Sequence, residues 1–378
     1  MTFVLTEEQG MLKDAARDFV SEQLSLTHFR AQRNAGANGK DPESWAAMAE
    51  MGWYGVLIPE SYGGSEFGYV GLGQVLEAQG RTLAASPLLQ TALVGVSALV
   101  LGGSDAQKET VLPKIAEGKL TTALAVDEHA HHAPTQIAMT AVADGGGFKL
   151  SGKKTFVSNG HFADLFIVAA RTSGKPGDTS GITLFMVPRD TDGLKVTELN
   201  TLDYHGAANL EFDGVVVPAA DVLGSVDAGW DILDPVMDRA RIGLAAEMLG
   251  LCEAAFEMTH EYLQTRKQFG QLIGSFQSLQ HRAAIMFSEM ELTRSCVAAA
   301  LDALDAGRDD VAEMASLAKA KASSLAHLMT NETIQMHGGI GMTDEHDAGF
   351  FIKRARVLES LFGGEGFHRE RYATLIGF

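Results

Sequence analysis

The sequence predicts an α+β chain in three parts: an N-terminal helical domain, a middle antiparallel β-barrel and a C-terminal four-helix bundle. Two observations predict it. The apolar period runs at three and four residues, changes to two, and then returns to three and four. The period-two runs are separated by stretches rich in glycine, aspartate and proline, as in a sheet of short strands. The boundaries fall at 1–118, 119–225 and 226–378, and 378 residues suit two or three packed units.

In the first segment Met11, Leu12, Ala15, Ala16, Phe19 and Val20 share one helix face, and Thr6 ahead of Glu7 and Glu8 starts that helix. A Gly/Pro passage from Gly52 to Gly64 interrupts the helices, and Leu112-Pro113 and Glu117-Gly118 close the segment. The strands of the second segment are Phe148–Leu150, Phe166–Val168, Ile182–Val187 and Val215–Val217, rich in β-branched and aromatic residues. In the third, one helix runs from Ile242 to Thr265 with Ala245, Met248, Leu249, Cys252, Ala255 and Phe256 on its buried side. Others pass through Gln277–Leu292, from about Asp309 to Met336, and from about Phe350 to Ser360.

Composition narrows the function classes. Hydrophobic residues are 46% and charged residues 21%, ordinary for a globular chain. The net charge is −18, with 48 acids against 30 bases, which disfavours non-specific nucleic-acid binding. An anionic ligand would need local cations or helix N-termini. The two cysteines, Cys252 and Cys296, sit in apolar helical patterns without ligand spacing, as expected of reduced thiols in a cytoplasmic protein. The first residues lack a basic-then-apolar leader, and no apolar run approaches ~18–20 residues, so no membrane association is expected.

Arg266-Lys267-Gln268-Phe269-Gly270 is followed by Ile273-Gly274-Ser275-Phe276-Gln277 and Gln280-His281. Further on stands Gln335-Met336-His337-Gly338-Gly339-Ile340-Gly341-Met342-Thr343, and earlier Gly152-Lys153-Lys154-Thr155-Phe156-Val157-Ser158-Asn159-Gly160. Each alone has a bland reading as a helix end, a turn or a core strand. Together with the Gly52–Gly64 and Leu112–Gly118 passages they fall in one family's order, and the chain resembles the acyl-CoA dehydrogenases along essentially its whole length.

That resemblance implies FAD as cofactor, lying between barrel and bundle. Phe156 stands where the family has a tryptophan against the flavin ring, and Ser158 where a hydroxyl meets its reactive edge. Arg266 matches the arginine at the pyrophosphate, and Phe269 and Gln277 match residues around the adenosine. Gln335, Gly338 and Gly339 match the loop that reaches a neighbouring subunit's cofactor, where glycines let backbone approach phosphate. An acyl-CoA substrate, an electron-transfer flavoprotein as acceptor and a homo- or hetero-tetramer are implied as well. Phe276-Gln277 with Gln280-His281, and Glu345-His346-Asp347-Ala348, resemble members that act as paired unlike subunits on dicarboxylic, aromatic or steroid side-chain thioesters.

Two departures stand out. Where the family carries Thr-Glu-Pro and then small residues, this chain has Val126-Asp127-Glu128-His129-Ala130-His131-His132-Ala133-Pro134. The three histidines lack a carboxylate or thiol at ligand spacing, and no metal is expected. The family's proton-abstracting glutamate is also missing: Gly363 holds its usual place, and Ala240, just before Arg241, holds the alternative one. Three acids remain as candidates. Asp238 reads as a helix N-cap. Glu365 lies in a glycine loop two residues past Gly363. Glu247 lies seven residues after Ala240, on about the same face, among apolar neighbours, where a carboxylate is either functional or ion-paired. Glu247 is the expected base. The expected reaction is FAD-dependent α,β-dehydrogenation of an acyl-CoA thioester to the enoyl-CoA. The alternatives are a non-catalytic partner subunit and a related flavin oxidase or monooxygenase.

Overall fold

The computed structural model describes Val4–Phe378. Helix α1 (Glu7–Gln23) opens as the sequence predicts, with Thr6 as N-cap. Gln9 N–H donates to Thr6 Oγ1 (3.2 Å) and Thr6 N–H donates to Gln9 Oε1 (3.0 Å), a reciprocal capping box. There follow α2 (Leu26–Asn34), α3 (Pro42–Glu50), α4 (Tyr69–Thr82), a π-helical stretch Leu89–Gly95 running into α5 (Val96–Gly102), and α6 (Asp105–Ala116). The Gly52–Gly64 passage makes two single 3-10 turns, Trp53–Gly55 and Glu60–Tyr62.

Then come β1 (Thr122–Ala125), β2 (Thr140–Asp144), β3 (Gly147–Ser158), β4 (Leu165–Arg171), β5 (Ile182–Pro188), β6 (Leu194–Leu199), β7 (Ala207–Pro218) and β8 (Val222–Leu223). Their order is β6-β7-β3-β2-β4-β5-β8, with β1 beside β4. β6 and β8 lie at opposite ends without pairing, so the sheet is open rather than the closed barrel expected. It is also not purely antiparallel, because β1 pairs with β4 in parallel register, Thr122 opposite Leu165. Strands β4 and β5 are buried almost throughout, as central strands covered on both faces must be, whereas β6 and β7 alternate.

The C-terminal part holds α7 (Trp230–Thr265), a two-strand hairpin β9 (Lys267–Gln268) and β10 (Gln271–Leu272), then α8 (Gln277–Asp305), α9 (Val311–His337), α10 (Ala348–Ser360) and α11 (Glu365–Leu375). Helix α7 starts twelve residues before the apolar period predicts, with Pro235 inside its second turn. Asp238 is therefore a buried residue inside α7 and not its N-cap. Helix α11 is a fifth helix beyond the four expected. Arg371 ties it to α9 by donating to Ala312 O (3.1 Å) and Ser316 Oγ (2.9 Å).

These elements gather into two units. One comprises the chain up to Ala31, Tyr69–Ala84 and Arg241–Phe378; the other comprises Gln32–Gly68 and Ala85–Ala240. In the first, α4 and α7 touch backbone to backbone. A Cβ on Gly80 would collide with the Glu247 carbonyl, and one on Gly250 with the Glu77 carbonyl. Beside that contact Glu253 of α7 is buried and accepts from Arg17 of α1, Arg81 of α4 and Arg294 of α8. The arginines hold the Glu253 carboxyl below its ordinary range against the opposing effect of burial. Nearby Glu77 is raised, first by burial and then by Glu253.

Candidate cofactor and catalytic site

In the sheet unit the site residues arise from an irregularity of β3. Its register with β7 shifts between Lys154 opposite Leu210 and Val157 opposite Ala208. Within that shift Phe156 adopts φ +50°, and its N–H donates to Asn209 Oδ1 at 3.0 Å. A β-bulge re-aims a side chain, and a positive φ in a non-glycine residue costs energy that the surroundings must offset. The outcome is a phenylalanine 42% exposed between the buried Lys154 and Val157. Ser158 is half-buried, with its Oγ only at 3.4 Å from Asn159 Oδ1, so the hydroxyl is weakly committed.

The Val126–Pro134 loop beside β3 is held from within. Lys154, fully buried, donates to Val126 O and to Glu128 Oε1, each at 2.8 Å, and Glu128 accepts from Ala138 N (2.9 Å) and Met139 N (3.1 Å). Burial pushes the Lys154 ammonium below the ordinary lysine range, opposed by Glu128. His132 Nδ1 donates to Asp127 Oδ2 at 2.8 Å, and Asp127 O accepts from Thr155 N at 2.8 Å. His129 and His131 stay exposed at the tip. The polar residues of this loop thus close it on itself and tie it to Thr155, the residue before Phe156.

In the helical unit α7 ends at Thr265 and the β9–β10 hairpin turns at Phe269 (φ +52°) and Gly270 (φ +79°). Two central residues with positive φ make a type I′ turn, which favours Asn-Gly. Here a phenylalanine takes the first place with 91% of its surface exposed. Arg266, one residue before β9, is exposed, and its guanidinium has no partner among the described residues. Gln277, at the first residue of α8, and Gln335, in the last turn of α9, are likewise exposed. Gly338 caps α9 at φ +63°, ψ −136°, a conformation open essentially to glycine, and a Cβ on Gly339 would meet only open space. His337, buried beside them, donates from Nδ1 to Thr333 O (2.7 Å) and packs against Tyr262 and His346. Burial lowers its pKa and keeps the ring neutral.

Taken by itself, the helical unit displays an unpaired guanidinium, an exposed aromatic ring and an open glycine cap, and the sheet unit displays the exposed ring of Phe156; each is of a kind that suits a diphosphate or an aromatic ring system. The residues present therefore fit FAD.

The candidate base stands differently. Glu247 is buried, and both Nε and Nη2 of Arg354 donate to its Oε1, at 3.0 and 2.5 Å. This is the buried ion pair weighed against the catalytic role. Glu365 is not in a mobile glycine loop; it is the first residue of α11 and pairs with Arg369 Nε at 3.1 Å. Ala240 is fully buried within α7.

Around Gly363 lies a clamp that the sequence did not reveal. Phe362 O accepts from Arg241 Nε (3.2 Å) and His368 Nε2 (3.0 Å). Lys319 Nζ donates to Leu358 O (2.9 Å), Glu359 O (3.1 Å) and Gly363 O (3.1 Å), closing the C-terminus of α10. Burial pushes the Lys319 ammonium down to about 7, with Glu359 opposing and Arg241 adding to the shift. Burial, then Arg241 and Lys319, push His368 down to about 2, so its ring is neutral, with the proton on Nε2.

Comparison with known proteins gives the family. The acyl-CoA dehydrogenase N-terminal domain matches residues 6–119, the middle domain 123–215 and the C-terminal domain 227–376. The probable acyl-CoA dehydrogenase YngJ of Bacillus subtilis is 31% identical over 373 residues, 97% of this chain and 96% of that protein. Butyryl-CoA dehydrogenase of Megasphaera elsdenii superposes with a TM-score of 0.93 at 27% identity, covering 100% of each chain. A chain of the ChsE4–ChsE5 complex of Mycobacterium tuberculosis does so with a TM-score of 0.89 at 27% identity, again covering 100% of each. With three family domains in sequence and a donor set that fits FAD, the cofactor of these flavoprotein enzymes, the chain belongs to the acyl-CoA dehydrogenase family.

Proposed function

We propose that this chain works in the FAD-dependent α,β-dehydrogenation of an acyl-CoA thioester as one member of a pair of unlike chains, the other bringing the carboxylate that removes the α-proton. The observation that carries this reading is the buried ion pair of Glu247 with Arg354, which ties its carboxylate down inside the helical unit. A general base must reach the proton it takes and keep a lone pair for it. The pairing of Glu365 with Arg369 and the absence of a side chain at Gly363 point the same way. The likeness to a chain of the ChsE4–ChsE5 complex supports an assembly of unlike chains.

Bound FAD supplies a two-electron acceptor for the hydride that leaves the β-carbon. This chain's own contribution is to hold it. Phe156 offers an apolar face to the ring and Ser158 a hydroxyl to its edge. Arg266 offers charge-assisted hydrogen bonds to the diphosphate, while Phe269 and Gln277 flank the adenosine. Gln335, Gly338 and Gly339 meet the cofactor of a neighbouring subunit. An electron-transfer flavoprotein would take the electrons onward. The Asp127–His132 loop, bulkier than the family's turn, would face the ligand beside Phe156 and restrict which thioesters enter.

The test is to purify the chain alone and with a co-expressed acyl-CoA dehydrogenase chain that carries the family's glutamate, then add acyl-CoA anaerobically. Flavin bleaching in the pair and none in the chain alone is the expected result. Bleaching of the chain alone would return the base to this chain.

A further inference from the structure

Gly363 has no room for a side chain. Its φ is +105°, a backbone conformation that L-residues rarely adopt. A Cβ placed there would lie 2.5 Å from Phe367 Cδ1, 3.0 Å from His368 Nε2 and 3.1 Å from Phe367 Cε1. The ring in the way is itself held. The Arg241 guanidinium lies 5.6 Å from its centroid, and the His368 ring meets it edge-on at 5.1 Å. Arg241 and His368 are the same groups that grip Phe362 O, while Lys319 grips Gly363 O from the other side. Backbone conformation, blocking ring and clamp therefore share members, and none moves without disturbing the others.

We propose that Phe367 seals the Gly363 turn, so that this turn cannot present any side chain, carboxylate or other, to a bound thioester. The inference deepens the reading above, on which it rests, by naming the residue that commits the turn. Gly363 is then more than a lost acid, because replacing it alone with glutamate would not rebuild a base. Phe367, at the first turn of α11, fills the volume that a side chain at Gly363 would need.

The experiment is a double-mutant cycle in the full chain, read by thermal unfolding. Gly363→Ala should lower Tm by about 3 °C, as expected of a loss of ~2–3 kcal/mol in a chain of this size. Introduced into Phe367→Ala, the same Gly363→Ala change should lower Tm by clearly less, because only the backbone cost and the longer His368 contact remain. An equal drop in both backgrounds, or no drop in either, overturns the proposal. Should Gly363→Ala alone fail to fold, recovery of folded protein in the double variant supports it, and failure of the double as well overturns it. A second readout uses Gly363→Cys in a Cys296→Ser chain. Its thiol should react with a maleimide far more slowly than in the same chain carrying Phe367→Ala, and equal rates contradict the seal. Both readouts measure folding and access and not turnover, so their outcome stands apart from which chain supplies the base.

Discussion

Arg354 reaches Glu247 across 107 positions of sequence and gives both Nε and Nη2 to a single carboxylate oxygen, in a place where both side chains are nearly closed to water. Taking two charges out of water is costly, and removing one partner leaves the other uncompensated. Glu247→Gln should therefore cost on the order of 3 kcal/mol in urea unfolding, whereas Glu247→Leu combined with Arg354→Leu should cost clearly less. A base role predicts the opposite pattern, with stability nearly unchanged and flavin reduction lost.

Arg266 is a cation of the helical unit whose guanidinium has no partner among the described residues. Arg266→Glu replaces attraction to the diphosphate by repulsion, so flavin per protein should fall severalfold while circular dichroism stays that of the parent. Arg266→Lys should retain part of the flavin, because charge remains but the planar fork is lost. Undiminished flavin in Arg266→Glu would remove Arg266 from the site.

The buried histidine of the Gly363 clamp gives a pH dependence with a definite sign. His368 has a folded pKa of about 2 against an ordinary 6.5. Between those values the unfolded chain binds a proton that the folded chain refuses, so stability falls as pH drops below about 6.5. His161, His337 and His346 are lowered as well, each first by burial, and add to the same slope. Lys319, lowered to about 7 from 10.5, acts in a higher window: its cost is fully present below about 7 and is relieved as pH rises toward 10.5. Urea midpoints should rise from pH 5 to pH 9, and His368→Gln, which keeps a donor for Phe362 O, should flatten the acidic part of the curve. An unchanged acidic slope in that variant would show that His368 does not contribute.

Local patterns in the sequence carried the architecture further than the site. Thr6, with Glu7 and Glu8 after it, announced α1 because capping is a contact between residues three apart. The period-two runs placed β3, β4, β5 and β7, yet could not tell an open sheet from a closed one, since closure depends on whether β6 and β8 meet. Helix α7 begins at Trp230, earlier than the apolar period predicts, and carries Pro235 within its second turn. Helix α11 escaped because Gly363, Gly364 and Gly366 resemble a loop, while Gly364 in fact caps a helix that Arg371 anchors on α9. At the candidate site, Phe156 and Arg266 were singled out by the resemblance of their motifs to a family and not by any local pattern. What sequence could not supply was the partner of each buried charge: Arg354 for Glu247, Glu128 for Lys154, and the carbonyls that Lys319 holds. Those pairings are long-range and have no periodic signature.

The most direct test of the account is an anaerobic titration of the flavin-loaded chain, purified alone, with acyl-CoA. The account predicts that the oxidised flavin spectrum persists, because Glu247 is held by Arg354 and the Gly363 turn presents no side chain. It also predicts that bleaching appears once a second chain carrying the family's glutamate is present. Bleaching of the chain alone, abolished by Glu247→Gln with the flavin still bound, would contradict it.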